Sequence, residues 1–126
     1  MKRIYVCSPF RGKTGSAVEI DANVQHAREA CKLVVEQGDC PIAPHLLFTQ
    51  FLDDEVPIQR EAGIWCGLAL LATCDELYLW PRVAGEISKG MAAELDAAKA
   101  IGIPVVSLVR AYHPGTDNVT WIQIRV

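Results

Sequence analysis

The chain has 126 residues, 51% of them hydrophobic, and a formal net charge of −3. This length fits a single domain (residues 1–126) with a substantial core, and the composition excludes a disordered chain. The negative balance disfavours a nucleic-acid polymer or an anionic membrane as partner. No apolar run approaches the length of a membrane span, and the first residues are typical of a strand rather than a signal peptide, so we expect a cytoplasmic protein.

The first half of the chain alternates strand and helix patterns. We predict a strand over residues 3–7, a loop over 8–15, a helix after Ser16, a short strand over 40–43, an acidic loop at 53–55 and a helix from Pro57. Ser16 and Glu19 have the spacing of a capping box. In the helix that begins at Pro57, apolar residues recur at the helical period of 3.6 and are expected to form its buried stripe. They are Ile58, Ala62, Trp65, Ala69 and Ala72. Apolar residues cover more than one face of that helix, which indicates a homo-oligomer.

The second half continues the alternation. We predict a strand over 74–80, a helix between Ser88 and Gly102, a strand over 104–109 and a strand over 119–126. Repeated strand-helix units predict an α/β fold, a three-layer sandwich around a largely parallel sheet of about five strands.

The cysteines and histidines give no sign of a metal site. The five cysteines are odd in number and include no Cys-x-x-Cys pair, so we interpret them as reduced core residues. Cys7, beside the first loop, is a candidate reactive thiol, although packing is the favoured interpretation. Because the three histidines show no ligand spacing with the cysteines, we predict no metal and no cofactor.

The segment from Ser88 to Glu94 places an anion site beside a candidate nucleophile. Ser88 is a natural N-cap, and Gly90 has no side chain to keep a ligand from the first backbone N–H groups. Glu94 projects from the same face of the helix as Gly90, next to the apolar Met91. A solvated surface acid is the common alternative for a helical glutamate, but small neighbouring residues leave space around this one.

Three loops at the carboxyl ends of strands are expected to share one crevice. They are the loop from Ser8 to Gly15, the region of His45, and the loop from Gly85 to Ser88.

These motifs resemble, in order and spacing, the nucleoside 2-deoxyribosyltransferase superfamily, and in particular its small bacterial and phage members, the DUF4406 group. The segments that carry the resemblance are Tyr5-Val-Cys-Ser-Pro-Phe-Arg-Gly12, Pro44-His45-Leu, Cys74-Asp75-Glu-Leu and Ser88-x-Gly90-Met91-x-x-Glu94-Leu. The resemblance as a whole runs from about residue 3 to residue 106.

The resemblance implies a flavodoxin-like (Rossmann-like) fold, a homo-oligomer (dimer or tetramer), and cleavage of the N-glycosidic bond of a deoxynucleoside or deoxynucleotide. It implies that Glu94 attacks the anomeric carbon and forms a covalent glycosyl ester, with Asp75 and Tyr5 assisting. Substrate contacts are implied or expected at Ser8, Phe10, Arg11, Gly12, His45, Ser88, Gly90 and Met91. Among these, Ser88 and Gly90 would meet a 5′-phosphate, and Arg11 and Gly12 would hold the same phosphate or the sugar.

The leaving base needs a proton, for which two donors are open. Asp75 is the favoured donor, if burial raises its pKa, and His45 is the second candidate because its unperturbed pKa is near neutrality. Structural roles are the alternatives, with Tyr5 as a packed ring, Asp75 as a turn residue, and His45 bonded to a backbone carbonyl.

The fold alone leaves a second function class open, a protein that holds a nucleotide or an ADP-ribose-like signal without cleaving it. The joint presence of Glu94, Asp75 and Tyr5 favours the enzyme, because an ionised carboxylate near a ligand's phosphate would weaken the binding of a nucleotide.

Overall fold

The computed structural model describes residues 1–83, 85–116 and 119–126. The strands are β1 (Arg3–Cys7), β2 (Cys40–Ile42), β3 (Glu76–Leu79), β4 (Val105–Tyr112) and β5 (Val119–Arg125). The helices are α1 (Ala17–Glu36), α2 (Pro44–Leu47), α3 (Pro57–Leu71) and α4 (Lys89–Ile101), with a 3-10 turn at Phe48–Gln50.

The strands form a single five-stranded sheet in the order β2-β1-β3-β4-β5. β1 pairs in parallel with both β2 and β3, β3 pairs in parallel with β4, and only β5 runs antiparallel to its neighbour. The predicted three-layer, flavodoxin-like α/β fold with a mainly parallel sheet is thereby confirmed.

The core lies on both faces of the sheet because side chains alternate along each strand. On one face, Ile4 packs in a cluster that includes Val34 of α1. On the other face, Tyr5 packs with Leu71 of α3 and Met91 of α4. Tyr5 is paired through its backbone with both β2 and β3, so it lies on an interior strand of the sheet.

The start of α1 forms only half of the predicted capping box. The Ser16 hydroxyl accepts a hydrogen bond from the backbone N–H of Glu19 at 3.2 Å. The Glu19 carboxylate, however, reaches past Ser16 and accepts from the backbone N–H groups of Lys13 at 2.6 Å and Thr14 at 2.8 Å. The helix thus holds the preceding loop as well as its own first turn.

The predicted apolar stripe of α3 is wrong, although the helix does begin at Pro57. Ile58 and Trp65 of that stripe are 80% and 65% exposed. The helix instead buries Gly67 and Leu71. A helix that is apolar nearly all round has no single period to follow, and burial was decided by the glycine that allows close approach to the sheet.

The cysteines are all free, but not all are core residues. Cys7 and Cys74 are buried, Cys31 and Cys40 are partly buried, and Cys66 is exposed, which corrects the core assignment for that residue. Burial, and next the nearby Glu94, hold the pKa of the Cys7 thiol well above its ordinary value. This disfavours a reactive Cys7 thiolate. Among the described residues, no helix is long and apolar enough to cross a membrane.

Candidate active site

A cavity of about 370 Å³ opens at the carboxyl ends of the parallel strands. Its wall is built from the loop after β1, helix α2, one side of α3 and the first turns of α4. A volume of this size suits a small ligand. Nine of the predicted site residues line this cavity. They are Tyr5, Phe10, Arg11, Gly12, His45, Ser88, Gly90, Met91 and Glu94.

Glu94 is a largely buried carboxyl group in this cavity. Its side chain is 13% exposed, and burial raises its pKa to about 7. The Tyr5 hydroxyl acts in the opposite direction by hydrogen bonding to the carboxylate. Burial, reinforced by Glu94, raises the pKa of Tyr5 far beyond its usual range, so Tyr5 remains a neutral donor. At neutral pH, Glu94 is therefore poised between its acid and carboxylate forms.

His45 lies beside this carboxyl group. Its Nε2 is 3.9 Å from Oε1 of Glu94, and its ring stacks on that of Phe10 with centroids 5.3 Å apart and an interplanar angle of 24°. Burial lowers the pKa of His45, and the negative charge of Asp54 partly opposes this shift. Burial therefore favours the uncharged forms of both groups, a neutral imidazole beside a protonated Glu94.

The first turn of α4 is open towards the cavity. The Ser88 hydroxyl accepts from the backbone N–H of Met91 at 3.2 Å, which makes Ser88 the N-cap, as predicted. A side chain added at Gly90 would find its nearest heavy atom, Ser88 Oγ, only at 4.0 Å. A ligand can therefore approach the helix N-terminus, where backbone N–H groups favour an anion.

Arg11 is already ion-paired with the acidic loop. Its Nε is 3.4 Å from Oδ2 of Asp54, and its Nη2 is 3.2 Å from Oε1 of Glu55. Arg60 approaches Asp54 from the other side, with 4.0 Å between Nε and Oδ1. An incoming phosphate would have to compete with two carboxylates for the Arg11 guanidinium.

Gly12 is required by the shape of the loop after β1. Its φ is +69°, in the left-handed region, and the Glu19 side chain fills the space where a Cβ would lie. A larger residue would both strain the backbone and displace the carboxylate that holds the loop.

A family model described as a domain of unknown function, DUF7768, matches residues 2–108. The chain belongs to the DUF7768 family. The matching model is thus DUF7768 rather than the DUF4406 group that the motifs indicated. No curated protein matches the sequence significantly.

The DUF7768 chain is also similar to a solved structure, the 2-deoxyribosyltransferase from Bacillus psychrosaccharolyticus. The two superpose with a TM-score of 0.63 over 83% of this chain and 70% of the other, at 19% sequence identity. At this identity the likeness establishes a shared fold.

Two predicted site residues of the DUF7768 chain lie outside the cavity lining. Asp75 is exposed at the amino end of β3, where its Oδ2 accepts from the backbone N–H of Arg3 at 2.8 Å. Because the cavity lies at the carboxyl ends, Asp75 is separated from it by the length of the strand, roughly 13 Å for four residues. The assignment of Asp75 as a group assisting at the site is not supported, and its alternative role as a turn residue is the one observed.

Ser8 is buried at 1% exposure at the end of β1. Its hydroxyl has no hydrogen-bond partner among the described residues, and it does not line the cavity. Ser8 therefore does not face the cavity where its predicted substrate contact would lie.

Several cavity residues were missed by the sequence analysis. Gly67 of α3 lies over the Tyr5 hydroxyl, and a Cβ there would come within 3.3 Å of that oxygen. Asp54 was recognised only as part of an acidic loop, although it lines the cavity. A helical glycine signals close packing, but nothing in the sequence indicates what it packs against. Within the described ranges, no three His, Cys, Asp or Glu side chains cluster as a metal site would require.

Proposed function

We propose that this DUF7768 protein cleaves or transfers at the N-glycosidic bond of a nucleoside or a nucleoside 5′-monophosphate, with Glu94 as nucleophile. The observation that carries the proposal is a carboxyl group buried in a cavity, with the His45 imidazole 3.9 Å away and the Tyr5 hydroxyl against it. The shared fold with a 2-deoxyribosyltransferase supports the same reaction class.

The reaction would proceed through a glycosyl ester. A Glu94 oxygen bonds to the anomeric carbon as the carbon-nitrogen bond breaks, and the bonding electron pair leaves with the base nitrogen. The carboxylate stabilises the positive charge that develops on the sugar. A second base or a water then attacks the same carbon and releases Glu94.

His45 would supply the proton that the leaving base needs. Before the reaction the proton resides on Glu94 rather than on His45, because burial raises the pKa of the acid and lowers that of the imidazole. Transfer of this proton to His45 creates the nucleophile and the general acid in one step. His45 takes the role for which Asp75 had been preferred, since Asp75 lies outside the cavity.

A nucleotide or ADP-ribose-like binding protein without turnover is the second candidate. It is favoured by the position of Asp75, which removes the expected acid from the site. The open N-terminus of α4 at Gly90 would suit an anionic ligand in either case.

The deciding experiment is incubation of the protein with each deoxynucleoside and its 5′-monophosphate, with and without an acceptor base. We expect released or exchanged base by chromatography and a pentosyl adduct on Glu94 by mass spectrometry. Glu94→Ala should abolish both, whereas Glu61→Gln, at an exposed glutamate of α3 outside the cavity lining, should not. Nucleotide-dependent stabilisation without turnover or adduct would establish the binding protein instead.

We also infer a cytoplasmic homo-oligomer, a dimer or tetramer. Support comes from the exposed apolar side chains of α3, with Ile58, Ile64 and Trp65 at 80%, 53% and 65% exposure. Five free cysteines suit a reducing compartment. Light scattering at micromolar concentration tests the assembly, and a monomer would refute it.

A further inference from the structure

Asn23 is a buried polar side chain on α1 that does not line the cavity. It is 2% exposed. A buried amide left without hydrogen-bond partners would cost about 1–3 kcal/mol of stability, and both ends of the Asn23 amide have a partner. Its Nδ2 donates to the backbone carbonyl of Phe10 at 2.8 Å, and its Oδ1 accepts from Nη1 of Arg82 at 3.3 Å.

These two hydrogen bonds connect α1 to two loops. Phe10 belongs to the loop between β1 and α1, and Arg82 to the loop that follows β3. Both contacts need an amide, because a carbonyl must receive a donor and a guanidinium must donate to an acceptor. An aspartate at this position could satisfy Arg82 but would set a carboxylate oxygen against the Phe10 carbonyl.

The hydrogen bond from Asn23 to the Phe10 backbone bears on the cavity because the Phe10 side chain lines it. The Phe10 ring stacks on the His45 ring, and His45 Nε2 is 3.9 Å from Glu94. A shift of the Phe10 backbone would therefore release one face of His45. We propose that Asn23 is a positioning residue that, through the Phe10 carbonyl, keeps His45 in place against Glu94. This inference rests on the proposed function for its effect on turnover.

Asn23→Asp tests the proposal because it preserves the side-chain shape and the acceptor for Arg82 but replaces the donor to Phe10 with a carboxylate oxygen. We expect kcat/KM for base release to fall by between ~10-fold and ~100-fold, as small misplacements of catalytic groups do. Arg82→Gln, which weakens only the other contact of Asn23, should lower it by less than about threefold. Val34→Ala is the stability control, because it opens space in the core on the same helix away from the cavity.

A second readout is independent of turnover. If Phe10 and His45 move, water reaches Glu94, and its pKa, followed by carbon-13 NMR, should fall by about one unit or more in Asn23→Asp. The pKa should not move in Val34→Ala. This shift without turnover in any variant would uphold the positioning role and reject only the proposed function.

Two results would overturn the role of Asn23. One is an Asn23→Asp protein whose Glu94 pKa is that of the wild type. The other is a Val34→Ala protein of equal stability loss that shows the same change in pKa or kcat/KM.

Discussion

Replacing Glu94 with Gln should stabilise the fold at alkaline pH and leave it nearly unchanged at acid pH. Burial raises the pKa of this carboxyl group from 4.5 to about 7, so the folded protein holds the proton to higher pH than the unfolded chain does. The protonated group's contribution is fully present below the unfolded pKa of 4.5 and is lost as the pH rises through about 7. Above that pH, the wild type carries a costly buried charge that Gln lacks.

The size of the effect follows from the shift. One pKa unit corresponds to about 1.4 kcal/mol, so the change from 4.5 to about 7 amounts to about 3 kcal/mol. The cost of ionisation is negligible at pH 4 and grows to ~2 kcal/mol at pH 6 and ~3 kcal/mol at pH 8. For a domain of this length, the gain at pH 8 is roughly 10 °C in Tm. Gln has nearly the same shape and retains an oxygen that can accept from Tyr5.

Urea denaturation of wild type and Glu94→Gln at acid, neutral and alkaline pH measures this difference directly. Glu61→Gln is the matched control, because it makes the same chemical change at an exposed position of α3 and should show no such trend. A stability difference that is the same at pH 4 and pH 8, or a Glu94→Gln protein less stable than wild type at pH 8, would refute the argument from burial.

Three further outcomes follow from the site. The kcat/KM for base release should fall as the pH rises through about 7, since the pair then loses the proton that Glu94 passes to His45; a profile that is flat through this range would remove that proton transfer from the mechanism. The double variant Asp54→Asn, Glu55→Gln should raise the affinity for the 5′-monophosphate relative to that for the nucleoside by ~10-fold in titration calorimetry, because Arg11 loses its two ion pairs with these carboxylates. An unchanged ratio of the two affinities would mean that Arg11 does not bind the phosphate. Asp75→Ala should keep kcat/KM within about twofold and cost ~1 kcal/mol in urea denaturation, through the lost bond to the Arg3 backbone; inactivity at full stability would return Asp75 to the mechanism.

The order of strands and helices could be predicted from the sequence, but the buried face of α3 could not. Pro57 marks the start of that helix, and this signal is local. Which side faces the sheet depends on Gly67, whose missing side chain lets the helix approach the Tyr5 hydroxyl. Periodicity counts apolar side chains and gives a glycine no weight. Helix α2, at four residues, is too short to show any period.

The candidate site was predictable where its geometry is local and not where it depends on strand direction. Ser88, Gly90 and Glu94 share one helix, so their spacing fixes their arrangement. Asp75 directly precedes β3 and therefore lies at the amino ends of the strands, whereas the cavity lies at their carboxyl ends. The rule that parallel sheets bind ligands at the carboxyl ends of their strands excludes Asp75 from the site, whereas the motif resemblance includes it. The pairing of Arg11 with Asp54 joins distant segments, and no sequence spacing indicates it.

Burial alone explains why Glu94 and His45 can share a cavity before a substrate arrives. It raises the pKa of the acid and lowers that of the base, so both changes favour the uncharged pair. A neutral pair avoids the desolvation cost of a buried ion pair. When positive charge develops at the anomeric carbon of the sugar, the ionised form of Glu94 becomes the favoured one, because the carboxylate stabilises that charge. The departing base meanwhile accepts the proton from His45. The two charges are therefore formed when the transition state can use them, which is the differential stabilisation that catalysis requires.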